Sequence, residues 1–194
     1  MFIEALIIGL IIGIIRDGRM QNLGEFRIRG VAILIISVIL QFVPYLFMQF
    51  GWFKDQLALF PFIGIALVGF VAVINIDQPG FKMLSLGALL NIVAMAMNNF
   101  LMPISISGLT EIGKTDFATT IADGSILSMV DVATVSDFSQ YVSKIIVIPE
   151  IYPFASVISI GDIFISLGII LFVQGAMTSR KLSRRRKTTK VRFY

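Results

Sequence analysis

The chain has no cysteine and no histidine, and only 14% of its 194 residues are charged. Without cysteine there are no disulfides and no thiol nucleophile, and the redox compartment stays open. Without histidine there is no imidazole acid–base chemistry, and the usual zinc and haem ligands are gone with it. No metal site, no cofactor and no catalytic group is therefore expected. Positive charge is missing from most of the length. Of sixteen Lys and Arg, eight lie between Arg180 and Arg192 and four between Arg16 and Arg29. The calcium-loop spacing D-x-D-x-D-G is absent, so the acids have no recognisable ligand pattern.

What remains is apolar. Hydrophobic residues make up 57% of the chain, against about 45–50% in an ordinary soluble domain, and the mean hydropathy is +0.91. Long apolar runs at 2–15, 31–48, 57–74, 81–97 and 159–177 predict an all-α membrane protein, a bundle of about five transmembrane helices. The first run is short. Helical residues 1–15 rise about 22 Å against a hydrocarbon core of about 30 Å, so whether 1–15 crosses fully is left open. Residues 98–158 hold no run long enough to cross and are expected to form a mostly helical extracytoplasmic segment between the fourth and fifth spans. The domain reading is one transmembrane domain over 1–177, with 98–158 included, and a basic tail over 178–194.

The cations then set the orientation. With the tail in the cytoplasm, five spans place thirteen Lys/Arg inside (four in 16–30, Lys82 and eight in the tail) and three outside, Lys54, Lys114 and Lys144. This is the positive-inside pattern. The net charge of +4 is confined to segments flanking the runs, so topology explains it and nucleic acid is not an expected partner. Expected partners are the lipid bilayer, anionic lipid at the run Arg184–Lys187, and another membrane protein or a second copy. Trp52, the single tryptophan, sits beside Phe53 and Lys54 in the connection 49–56, where an interfacial belt would place it.

Two glycine patterns point to close helix contacts. Gly9 and Gly13 form a G-x-x-x-G, read as packing within the monomer, with a dimer seam as the alternative. Gly161, Gly168 and Gly175 recur every seven residues along one face of the last span. Ser159 and Asp162 have the spacing of a capping box. Asn91 in the fourth span and Gln41 in the second are amides in apolar surroundings, explained by interhelical hydrogen bonds or by a solute pathway. Six acids in 98–158 read as a solvated face. Phe138, Tyr141, Val142, Ile145 and Ile146 recur at helical spacing and predict an amphipathic helix over 137–147, capped by Ser136 and stopped by Pro149.

Arg16-Asp17-Gly18-Arg19, Asn98-Asn99-Phe100-Leu101-Met102-Pro103-Ile104-Ser105 and Ser159-Ile160-Gly161-Asp162 follow one another in an order that resembles a family of small integral membrane proteins of unknown function from Clostridium-like Firmicutes. The Met-Pro-Ile-Ser and Ser-Ile-Gly-Asp pieces carry it. The resemblance implies a bacterial cytoplasmic membrane and no particular substrate. The chain departs from the pattern at Leu101, where related members often carry a basic residue. Asn91, Asn98, Asn99, Ser105 and Asp162 form the candidate functional cluster at the outer mouth of the bundle, with residues 102–105 expected to fold over the last helix and bond to Asp162. The leading reading is a non-enzymatic accessory or scaffold subunit. The alternatives are a small-solute or ion permeation protein and a membrane enzyme using outer-face carboxylates.

Overall fold

The computed structural model describes residues 1–47, 59–126, 128–135 and 138–179. Trp52 and its neighbours, the Ser136 cap, Asp137 and the basic run of the tail lie outside the described residues.

Five apolar helices dominate: α1 (Phe2–Ile15), α3 (Val31–Phe47), α4 (Leu59–Ile74), α5 (Phe81–Ala96) and α9 (Ile160–Met177). They pack as a row in the order α1, α9, α5, α4, α3, so the last helix of the chain lies between the first and the fifth. A short helix, α2 (Met20–Glu25), leans on α9. Among the described residues, only α9, at 18 residues, is by itself long and apolar enough to cross a membrane; the described stretches of the other four are shorter.

The side chains explain the order of the row. α1 buries Ala5, Gly9 and Gly13, a stripe of small residues spaced four apart on one face, and this face meets α9. An added Cβ at Gly9 would stand 3.0 Å from the Val173 Cβ and 3.2 Å from the Ile170 Cα. α9 meets α5 through its own glycines. A Cβ at Gly168 would lie 2.8 Å from the Leu84 backbone nitrogen and 2.9 Å from the Gly80 oxygen. One at Gly175 would lie 2.5 Å from the Pro79 Cβ, and Gly161 packs on Asn91 and on the Gly87 carbonyl. Helices this close gain van der Waals contact along backbone as well as side chains.

The same seam gives a graded prediction. At Gly13 the obstacle is the end of the Met177 side chain, whereas at Gly9 it is the Val173 Cβ, fixed to its backbone, and the Ile170 backbone itself. Met is flexible and can move aside. Gly9→Ala should therefore cost at least about 1 kcal/mol more than Gly13→Ala, read as the difference between their thermal midpoints in mild detergent.

Residues 98–158 form a cap on the C-terminal end of α5 and the N-terminal end of α9. The sequence reading of this segment as mostly helical needs correction. Its described residues contain three short α-helices, α6 (Ile106–Glu111), α7 (Thr115–Ala122) and α8 (Ser139–Val142), a 3-10 turn at Val132–Thr134 and four three-residue strands. Strand β1 (Met102–Ile104) pairs in parallel with β2 (Met129–Asp131), the crossover running through α6 and α7. Strand β3 (Ile146–Ile148) pairs antiparallel with β4 (Ser156–Ile158). Ile104, Leu109, Ile112, Ala118, Ile121, Ile126 and Val157 give the cap its own small core. Ala94 and Met95 of α5, with Met102 and Val142, join it to the helices.

The amphipathic helix expected over 137–147 is likewise corrected: α8 stops at Val142. The Lys144 N–H donates to the Pro103 carbonyl and the Lys144 carbonyl accepts from the Ser105 N–H, both at 2.9 Å. Those long-range bonds pull 144–148 into extended backbone, which suits the β-branched run Ile145-Ile146-Val147-Ile148. Helical spacing of apolar residues was outweighed by pairing with distant strands.

Candidate functional site

The densest polar arrangement lies where the cap meets the bundle. Ser159 caps α9: its Oγ accepts from the Asp162 N–H at 2.9 Å, and Asp162 Oδ2 accepts from the Ser159 N–H at 3.2 Å. This is a complete capping box, so the first turn of α9 keeps its amides satisfied and holds a carboxylate at the positive end of its dipole. The box reaches across to α5. The Ser159 hydroxyl donates to Asn91 Oδ1 at 2.7 Å, and Asn91 Nδ2 donates to Asp162 Oδ1 at 3.0 Å. From the cap, Lys144 Nζ approaches Asp162 Oδ2 at 3.2 Å.

Burial sets the energetic weight of these bonds. Ser159 is fully buried, Asn91 and Asp162 are 6% and 5% exposed, and the Lys144 side chain is 25% exposed. A buried polar group without a partner costs about 1–3 kcal/mol. Here Asp162 uses both carboxylate oxygens and Ser159 both donates and accepts. The absence of a Cβ at Gly161 leaves room for the Asn91 amide, which packs directly against it. The arrangement can hold three pieces of chain, α5, α9 and the 143–148 segment, in one register.

Of the five candidate residues, Asn91 and Asp162 come together and the other three stand apart from them. Asn98 Nδ2 donates to the Ala94 carbonyl and to Ser139 Oγ, both at 2.7 Å, and so ends α5. Asn99 is exposed, with a left-handed backbone (φ 52), as is Phe100 (φ 67). Ser105 caps α6 by accepting from the Gly108 N–H at 3.0 Å. The expectation that residues 102–105 bond to Asp162 is corrected: its partners are Asn91, Ser159 and Lys144. Pro103 and Ser105 instead grip the Lys144 backbone from both sides, which aims its side chain at the carboxylate. Lys144 was missed as a partner because helical spacing placed it on a solvated face. That it is one of only two lysines in 98–158 was the available signal. Gln41 is exposed and donates to the Ser37 carbonyl of its own helix at 3.4 Å.

Two acids of the cap are used locally. Asp131 Oδ1 accepts from the Ala133 N–H at 3.1 Å, and Asp123 Oδ1 accepts from the Ser125 N–H at 2.9 Å. Hydrogen bonding from Ser125 holds the Asp123 carboxyl below its ordinary range. Among the described residues no three carboxylates gather at one point.

The opposite end of the bundle is splinted by two asparagines. Buried Asn22 donates to the Met177 carbonyl at 2.7 Å, tying the 16–30 loop to the end of α9. Asn75 accepts from the Arg29 N–H at 2.9 Å and donates to the Arg29 and Val71 carbonyls at 2.8 Å, tying the same loop to α4. Beside Asn22 lies an open polar recess of about 560 Å³, lined by Arg16, Asp17, Arg19, Met177, Thr178 and Ser179. Arg16 reaches it while donating to Gln174 Oε1 at 3.0 Å.

A row of apolar helices, a small mixed cap and a buried Asn–Ser–Asp–Lys joint define a mostly helical protein. The chain belongs to the Family of unknown function (DUF5317), whose pattern matches residues 25–174. It is also similar to an uncharacterized protein of Thermotoga maritima, 27% identical over 175 residues, which is 89% of each chain. No solved structure matches. The family match begins at the end of α2, so α1 and its glycine stripe precede it, whereas the whole polar joint lies within it.

Proposed function

We propose that the chain is a polytopic protein of the bacterial cytoplasmic membrane and acts there as a non-enzymatic accessory or scaffold subunit. In this reading α1, α3, α4, α5 and α9 all cross, the C-terminus is cytoplasmic and 98–158 is extracytoplasmic. The narrower kinship with the Clostridium-like family belongs to the same proposal.

The observation that carries it is what the row leaves uncovered. α1 and α3, at its two ends, expose Leu6, Ile7, Ile11 and Ile14 on one side and Ile35, Ile36, Ile39 and Phe42 on the other, with Ile63, Phe70 and Val73 of α4 between. α3 and α4 contain no charged residue. Apolar area on this scale is far beyond the few hundred Å² that a water-facing monomer ordinarily exposes in one patch, and lipid covers it at no cost. Helices of 14–17 residues are accommodated by local thinning of the bilayer. The thirteen-to-three division of Lys and Arg gives the orientation.

Within the bundle, the surroundings of Asn91 support a scaffold over a permeation route. Its amide is engaged at both atoms and pressed against Gly161, as a packing contact between helices requires. The partners this reading implies are the bilayer, anionic lipid at the basic tail, and another membrane protein or a second copy. Purification from the native membrane in mild detergent tests it. A partner at fixed stoichiometry is expected. A lone monomer carrying bound solute would overturn the scaffold role in favour of permeation.

A further inference from the structure

The cap carries aromatic side chains that neither its core nor the polar joint uses. Phe138, which precedes α8, and Tyr141 within it are paired at 6.1 Å between ring centroids, and Tyr152 and Phe154 of the loop between β3 and β4 at 6.2 Å. All four are exposed, and Ile151, at the tip of that loop, is 94% exposed. A third pair, Phe62 with Phe100 at 4.8 Å, lies at the start of α4 and just past α5. These pairs share one end of the bundle. α8 packs on α5, and the Tyr152 hydroxyl lies against the Glu4 carboxylate in the first turn of α1. The loop tip is thereby continuous with the exposed apolar face that begins at Phe2 and Ile3.

Helix length supplies the second half of the argument. At 1.5 Å per residue, α1 rises about 21 Å and α5 about 24 Å. A hydrocarbon core of about 30 Å leaves a shortfall of about 6–9 Å. Tyr141 and Tyr152, with an apolar ring and a polar hydroxyl, favour the headgroup level, and the phenylalanines paired with them add apolar area. We infer that the cap is seated in the interfacial layer of the outer leaflet through these aromatic pairs and the Ile151 tip, making up part of the thickness that the short helices lack. The occupant of this surface is phospholipid. The inference rests on the membrane-spanning reading above.

The test uses tryptophan as a depth probe, in the full chain with Trp52→Phe as background. Ile151→Trp, or Phe154→Trp as a second position, is reconstituted into phosphatidylcholine–phosphatidylglycerol vesicles, with bromine placed either near the headgroup end of the acyl chain or near its terminus. Phe70→Trp, on the exposed face of α4, reports the span itself. Expected is blue-shifted emission from Ile151→Trp, quenched most by the shallow bromines, with Phe70→Trp quenched most by deeper ones. Water-like, unquenched emission at position 151 beside a quenched Phe70→Trp overturns the inference and leaves the span standing. An unquenched Phe70→Trp overturns the span and the inference together. Shielded but unquenched emission at 151 that vanishes on diluting the protein in lipid assigns the surface to a second copy and overturns the lipid assignment.

Discussion

Asp162→Ala is expected to destabilise the protein by about 3 kcal/mol, lowering its melting temperature in mild detergent by about 6–12 °C. The substitution removes the acceptor used by three donors: Asn91 Nδ2, the Ser159 N–H and Lys144 Nζ. Lys144 is partly exposed and can turn to water. Asn91 and Ser159 are too deep to do so, and an unpaired buried donor carries its full desolvation cost. The α9 cap also weakens, by about 1 kcal/mol. Because Lys144 is gripped through its backbone by Pro103 and Ser105, losing its side-chain anchor should loosen 143–148 and make it more sensitive to limited proteolysis. Asp162→Asn keeps one of the two acceptor oxygens and should cost less than Asp162→Ala. Lys144→Met tests the ion pair. In a double-mutant cycle with Asp162→Asn the two changes should couple. Unchanged melting and unchanged proteolysis in Asp162→Ala would remove the joint from the account.

The second large effect is expected at Gly168. Gly168→Leu places a Cβ 2.7 Å from the Leu84 Cγ, 2.8 Å from the Leu84 nitrogen and 2.9 Å from the Gly80 oxygen. The Leu84 side chain can turn away but the two backbone atoms cannot, so α5 and α9 must separate. Overpacking commonly costs 1–3 kcal/mol and here involves backbone on both sides, so about 3 kcal/mol or more is expected. Gly80 compounds this, because its own backbone is left-handed (φ 81) and packs on the Gly168 carbonyl. Loss of the monodisperse peak in size-exclusion chromatography, together with a collapsed melting transition, is the expected readout. A variant that melts within about 1 kcal/mol of the parent would show that the seam tolerates bulk.

These two sites were legible to different degrees. The seven-residue spacing of Gly161, Gly168 and Gly175 is a property of one helix, and a helix projects such residues onto one face whatever surrounds it. Its partner, α5, could not be named from spacing. The Ser159–Asp162 box was legible for the same local reason. Asn91 stood out as an amide in an apolar run, but its bond to Asp162 joins residues 71 apart, which no local pattern encodes. The cap was the least legible part. Its strands are three residues long, too short to show alternation; β1 exists because it meets β2 across the α6–α7 crossover, and β3 because it meets β4 and follows Lys144, which is bonded to the 103–105 backbone. Where local periodicity and long-range pairing disagreed, at 143–148, pairing won. The asparagine splints at Asn22 and Asn75 were hidden likewise, since each looks like an ordinary loop residue until its partner carbonyl is in place.

Because the chain contains no cysteine, single introduced thiols report the side of the membrane without background. Ser125→Cys in the cap and Asp77→Cys in the turn between α4 and α5 are both at exposed positions, and Phe2→Cys adds the start of α1. In intact cells, a membrane-impermeant maleimide should label Ser125→Cys and Phe2→Cys but reach Asp77→Cys only after permeabilisation. Labelling of Ser125→Cys and Asp77→Cys to the same extent in intact cells would contradict the five-span arrangement.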